Sequence, residues 1–225
     1  MVRITACAVA LALAGAAQAQ SFSEGFEPGP NPPVVTTGLP AGWVSVNNSP
    51  GGPGSNPNWN WRNDGAVFPA HSGIGYAYAN FNSSTGANNI SNYLMSPVVN
   101  FSAGDTISFW TRTVDSPFFP DRMELVVSFN GASTSPGDFT TSLLTINAGL
   151  TAAGYPNTWT NFVATLPAGG SGRFAFWYNP PNGGPSGSNS DYIGVDSVEY
   201  TAIPAPASLA LLGLGGLVAA RRRRA

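Results

Sequence analysis

The chain has 225 residues, of which only 9% are charged; it carries nine arginines, no lysine and eleven acidic residues. Between residues 20 and 201 all eleven acids stand against four arginines, a net charge of about −7 by formal counting. That stretch therefore lacks the basic face that binding to phosphate backbones requires. The single cysteine, Cys7, lies in the leading apolar run, so the remainder has neither thiol chemistry nor a disulfide staple.

In chain order, residues 1–19 open with one positive charge at Arg3 and continue as an apolar run from Ile4 through Ala17. They end on Ala17-Gln18-Ala19, the small-x-small pattern that a signal peptidase accepts, which predicts a signal peptide cut before Gln20. The run is too short for a spanning helix and no basic stop follows it.

Residues 20–201 show no helical period and read as one domain. Short apolar or alternating runs are separated by Gly, Pro, Asn and Ser clusters, the pattern of an all-β fold of many short strands. The clearest runs are Gly75 to Phe81, Asp105 to Thr113, Arg122 to Phe129, Trp159 to Leu166, Gly172 to Tyr178 and Tyr192 to Tyr200. Their aromatic and β-branched residues suit a pleated, half-buried surface. A period of two puts Ile107 and Phe109 on the inward face, and sets Phe174 and Phe176 opposite Arg173, Ala175 and Trp177. Ile193, Val195 and Val198 cannot share a face by strict alternation, which predicts a bulge near Asp196-Ser197.

Two loops, Asn47 to Asn63 and Asn179 to Ser190, are rich in Asn, Gly, Pro and Ser and are expected at the surface. Trp59 and Trp61 lie in the first. An exposed indole among asparagines can stack on a sugar ring, so these two are candidate ligand-binding residues; the alternative is that they cap the end of the sandwich. Enzyme chemistry has narrow openings. His71 is the only histidine, no cysteine is available, and no serine sits in a nucleophile-elbow sequence. Glu124 and Glu199 lie in predicted strands, and would serve a glycosidase only if they approached each other. No catalytic residue is assigned.

Residues 202–225 form a tail. An uncharged run, IPAPASLALLGLGGLVAA, is followed directly by Arg221, Arg222, Arg223 and Arg224. The apolar stretch is slightly short of a full span, and the basic block fixes its end in the cytoplasm. A short transmembrane helix is expected, with residues 20–201 on the far side of the inner membrane. Pro204-Ala205-Pro206, the apolar run and the arginine block together resemble a PEP-CTERM sorting signal, with Ala205 where that family's namesake motif has Glu. The resemblance implies processing by an exosortase-type membrane protease and a setting in the cell envelope or matrix, alongside exopolysaccharide.

Several landmarks in the domain occur in a fixed order. They are Phe22-x-Glu24-x-Phe26-Glu27, Leu39-Pro40-Ala41-Gly42-Trp43, His71-Ser72-Gly73, Tyr93-Leu94-x-Ser96-Pro97, Ile107-Ser108-Phe109-Trp110, Arg173-Phe174-Ala175-Phe176 and Ile193-Gly194-Val195-Asp196-x-Val198. The series resembles the choice-of-anchor J and cleaved-adhesin group, which is similar to MAM domains. It implies a two-sheet antiparallel jelly-roll β-sandwich, a tight turn at His71, and a structural Ca²⁺ held by Glu24, Glu27 and Asp196. Ca²⁺ takes six to eight hard oxygens, which carboxylates and backbone carbonyls provide. The expected function is that of an exported, non-catalytic protein binding polysaccharide or another surface component. The alternatives are a jelly-roll glycoside hydrolase or lyase and a purely structural matrix protein.

Overall fold

The computed structural model describes residues 20–27, 38–63 and 65–203 and the backbone of Val35–Thr36. The expected signal peptide, with Ala17 and Ala19, lies outside the described residues, as does the tail with Pro204, Pro206 and Arg221 to Arg224. Among the described residues no helix is long and apolar enough to cross a membrane.

The described residues form thirteen strands: β1 (Phe22–Glu24), β2 (Val35–Thr36), β3 (Val44–Asn47), β4 (Asn60–Arg62), β5 (Tyr76–Asn80), β6 (Asn92–Met95), β7 (Val99–Phe101), β8 (Thr106–Thr113), β9 (Met123–Ser128), β10 (Thr141–Ile146), β11 (Thr160–Thr165), β12 (Gly170–Tyr178) and β13 (Tyr192–Thr201). Every pairing is antiparallel. The first sheet runs β11-β8-β13-β5-β4-β2 with β1 also on β13; the second runs β10-β9-β12-β6-β3 with β7 also on β12. All six runs expected from alternation are strands.

The two sheets face each other across one aromatic-rich core. Ile107 and Phe109 of β8 and Val195, Val198 and Tyr200 of β13 meet Leu125 and Val127 of β9 and Phe174 and Phe176 of β12. The Phe109 ring meets Phe176 edge-on at 4.8 Å, and Trp43 packs on Phe174 and Phe176 at 5.9 and 6.4 Å. Each such side chain, fully buried, contributes about 1.5–3 kcal/mol, which is how a domain without disulfides holds together.

β13 carries the expected irregularity. Its pairing with β8 shifts register between Asp196 and Glu199, and Ser197 has φ +48°. The extra residue lets Val195 and Val198 both face the core while Asp196 and Glu199 face outward. It also divides one edge of β13, which pairs with β5 over Tyr192 to Val195 and with β1 over Val198 to Tyr200.

The outer faces differ. On the first sheet a separate aromatic cluster of Phe68, Tyr76, Tyr78 and Tyr192, with Trp159 beside it, lies over β5 and β13. Gly194 makes room for it: a Cβ there would stand 2.8 Å from Phe68 Cε2 and 2.9 Å from Trp159 Cη2. On the second sheet a smaller cluster comprises Tyr93, Met95, Val126, Phe139 and Ala175, with Trp177 packed against it. The Gly194 contacts imply that Gly194→Ala is destabilising by about 1–3 kcal/mol through overpacking. Urea unfolding would measure it, and an unchanged midpoint would contradict the packing described.

Candidate functional site

The bulge and the first strand meet at one cleft, and the residues expected to hold a cation lie around it. It is lined by Glu24, Glu27, Ser72, Gly73, Ser197 and Glu199 among others, with Asp196 buried behind. Asp196 Oδ2 accepts the backbone N–H groups of His71 and Ser72 at 2.8 and 3.1 Å, and Oδ1 accepts that of Ser197 at 2.5 Å. The acid expected to be costly if unpaired is thus satisfied by three amides. Glu27 accepts the N–H of Ile74 on both carboxylate oxygens, at 3.2 and 3.0 Å. Its close seat requires Gly73 (φ +63°), because any Cβ there would fall 1.9 Å from Glu27 Oε1. Glu24 Oε1 accepts from Phe26 N–H at 2.7 Å, and that turn sends the buried Phe26 ring onto Trp43 at 5.2 Å.

Burial pushes the Asp196 carboxyl up to about 6, with the nearby Glu27 charge adding to the rise. Glu24 is raised by burial and by Glu27 in the same sense. The Glu27 charge thus acts on both of the other carboxylates. Their oxygens are turned to backbone amides, and among the described residues no three His, Cys, Asp or Glu side chains converge as a metal cluster.

His71 belongs to the turn that closes this cleft. Its ring stacks on Trp110 at 3.8 Å, and Nδ1 lies 2.9 Å from Ser197 Oγ. Burial lowers its pKa. Asp196 bonds the His71 main chain, and among the described residues no carboxylate bonds the ring to orient it as a general base.

Trp59 and Trp61 are not the exposed platform the sequence suggested. Trp59 is fully buried and Trp61 is 9% exposed, both within the inter-sheet core. Trp59 donates its indole N–H to Asn92 O at 3.1 Å and its ring meets Tyr178 at 6.4 Å. Trp61 sits in β4, opposite Ala77. Their polar neighbours are buried with them: Asn92, fully enclosed, donates through Nδ2 to Pro57 O at 2.9 Å. Composition marked this segment as loop, but pairing of β4 with β5 draws it into the sheet.

A different aromatic surface lies on the outer face of the second sheet. Strand register aligns Val46, Tyr93, Trp177, Glu124 and Thr145 in one row across β3, β6, β12, β9 and β10. The partly exposed Trp177 stacks on Tyr93, rings 5.3 Å apart and 11° from parallel. Its indole N–H donates to Ser91 Oγ at 3.0 Å. Next in the row, Glu124 accepts from Asn179 Nδ2 at 2.7 Å and from Ser142 Oγ at 3.0 Å, and Asn179 Oδ1 in turn accepts from Arg122 Nε at 2.9 Å. The result is a flat indole beside a carboxylate of fixed orientation, able to stack on a sugar ring and accept from its hydroxyls. Alternation already turned Trp177 outward; Tyr93 was missed because β6 is short and lacks a clear period. Glu199 is exposed on the outer face of the first sheet while Glu124 lies on that of the second, so the two cannot flank one glycosidic bond.

The sequence model of the Cleaved Adhesin Domain family matches residues 33–178. A search of curated proteins finds no match. Among solved structures, the K1 cleaved adhesin domain of Lys-gingipain from Porphyromonas gingivalis W83 is similar at 24% identity, covering 82% of this chain and 99% of that one, with a TM-score of 0.59. The K2 domain of Lys-gingipain gives 24% identity over 81% and 99%, TM-score 0.55, and the K3 domain gives 21% over 80% and 97%, TM-score 0.56. These likenesses show a shared β-sandwich fold.

The raised carboxylates fix the sign of the pH dependence. Asp196 and the buried Asp121 both stand at about 6, with Glu24 and Asp191 raised in the same direction. The unfolded chain releases those protons near the usual carboxylate value of about 4. Between the two values the folded protein binds more protons, so stability increases as pH falls, with His71 opposing this in part. In chelator-treated protein the urea midpoint is therefore expected to be higher at pH 5.5 than at pH 7.5. A midpoint that falls on acidification would contradict these environments.

Proposed function

This chain belongs to the cleaved adhesin domain family, and we propose that it is an exported, non-catalytic binding protein holding polysaccharide on the outer face of its second sheet. The observation that carries this reading is the Trp177–Tyr93 stack in register with the hydrogen-bonded Glu124. An indole already held by the neighbouring Tyr93 ring and by Ser91 loses little freedom on binding, and the Glu124 carboxylate next to it suits hydroxyl-rich ligands. The mature segment's net negative charge and lack of lysine favour neutral over polyanionic glycans. The apolar run of residues 4–17 and the Ala17-Gln18-Ala19 pattern support export with cleavage by a signal peptidase. The Pro204–Pro206 and Arg221 to Arg224 tail supports sorting by an exosortase-type protease, with a membrane anchor at least before processing.

Calcium is part of the same proposal, as a structural ion. Glu24, Glu27 and Asp196 would hold it at the cleft where β1, the His71 turn and the β13 bulge meet, and its charge would relieve the repulsion among the three carboxylates. These residues otherwise act by bonding the amides of Phe26, Ile74, His71, Ser72 and Ser197.

A second reading, a matrix subunit without a ligand, is favoured by the burial of Trp59 and Trp61, which removes the surface first expected to bind. A polysaccharide array separates the two. Binding by the parent protein, weakened about tenfold in Trp177→Ala by loss of the stack, supports the glycan reading. A flat array supports the matrix subunit. For the ion, Ca²⁺ added to chelated protein at pH 7.5 is expected to raise the melting temperature, and Glu27→Gln to abolish most of that rise. Equal melting with and without Ca²⁺ would rule the ion out.

A further inference from the structure

Away from both sites, the β8–β9 loop and the segment before β13 enclose a pocket of about 170 Å³. Phe81, Phe118 and Phe119 frame it, and they are unusually exposed for phenylalanine, at 37%, 80% and 36%. Phe118 and Phe119 meet edge-to-face at 4.9 Å, so the faces of both rings cannot be buried against each other. The other wall is the Gly184–Asp191 stretch, whose only charged side chain is that of Asp191; among the described residues no basic side chain lines the pocket.

Asp191 is the hub of this arrangement. Its carbonyl accepts the N–H of Phe81 at 3.2 Å, its carboxylate accepts the N–H of Phe118, and its own N–H donates to Asp121 Oδ1 at 2.9 Å. One residue therefore ties two of the three rings around its own half-buried carboxylate. Behind it lies a second acid, the fully buried Asp121, held by Thr113 Oγ1 at 2.6 Å and Tyr178 OH at 2.5 Å. The facing loop is also anchored: Ser190 N–H donates to Pro120 O at 2.9 Å, and Ser188 and Asn189 N–H to Asn182 O. Two of the wall's neutral donors are engaged internally, Asn189 Nδ2 on Pro181 O and Ser190 Oγ with Tyr178 OH. The pocket thus offers a ligand aromatic surface and one carboxylate.

We propose that this pocket binds a compact organic cation, such as a quaternary ammonium group, between the rings of Phe81, Phe118 and Phe119 and the carboxylate of Asp191. Aromatic faces attract a desolvated cation through their quadrupole, and a cation with an apolar shell also gains from leaving water. A sugar is the poorer fit, because most of its hydroxyls would face the three phenylalanine rings, which cannot replace their hydrogen bonds to water.

Choline and tetramethylammonium would be titrated into the purified protein at low ionic strength, following aromatic resonances by NMR, with 3,3-dimethylbutan-1-ol as the neutral isostere of choline. Saturable binding of both cations is expected, with the alcohol weaker by about tenfold or more. Phe118→Ala, which removes a mostly exposed ring, should weaken choline about threefold or more at an unchanged melting temperature. Asp191→Asn keeps an oxygen for the Phe118 N–H but removes the charge, and should weaken choline about tenfold. The proposal fails if the alcohol binds as tightly as choline, if neither substitution changes choline binding, or if no cation saturates the pocket.

Discussion

The buried carboxylate of Asp196 is the constraint on which the rest of the first sheet depends. A bulge in a central strand breaks the ladder and leaves amides without partners. Here the side chain of the bulged residue takes up the N–H of Ser197 and reaches across to those of His71 and Ser72. The strand thereby changes its neighbour from β5 to β1 along one edge, while β8 runs beside it on the other. The turn at His71 is fixed in the same stroke, and Glu27 reaches Ile74 only because Gly73 offers no side chain. The cost is a carboxylate that repels its acidic neighbours at neutral pH.

The two outer faces of the sandwich do different work. The first is closed by Phe68, Tyr76 and Trp159, a layer that Gly194 admits by lacking a side chain. Arg112, paired with Asp115, lies over Phe68 at 4.5 Å, and Arg62 lies over Tyr78 and Tyr192 at 5.7 and 5.9 Å, so the cations on this face take part in its packing. The second face is thinner. Phe139 covers Tyr93 from one side, at 5.9 Å, but Trp177 remains partly open at the row's centre. A sandwich hosts many functions, and the proposed one rests on this asymmetry of cover rather than on the fold.

Buried acids recur as organisers of backbone in this chain. Asp196 secures the bulge, while Asp121 gathers Thr113 of β8, Tyr178 of β12 and the N–H of Asp191. Asp105 likewise accepts the N–H groups of Ser102 and Ile203. With no lysine and only four arginines between residues 20 and 201, these carboxylates have few cations to pair with and are satisfied by amides and hydroxyls. Burial raises Asp121 and Asp196, and the neutral donors that bond them offset that rise only in part.

The sequence by itself determined the all-β class, the six strands with strong alternation, and the bulge, because Ile193, Val195 and Val198 cannot reach one core without an extra residue. Through the resemblance it also brought out Glu24, Glu27 and Asp196; Glu24 and Glu27 line one cleft and Asp196 is buried behind it, with no three acidic, His or Cys side chains converging as a metal cluster among the described residues. It could not read β1 to β4, β6, β7 or β10, whose two to six residues carry little periodic signal or lie among Asn, Gly and Pro. Only the tertiary structure decided which tryptophans meet solvent. Trp59 and Trp61 look exposed among asparagines, yet pairing of β4 with β5 and the carbonyl of Asn92 bury them, whereas Trp177 stays open beside Tyr93. The reason is that burial is settled by partners distant in the chain: the Trp177 row draws on five strands, and the Asp191 pocket on three separated segments that local composition cannot bring together.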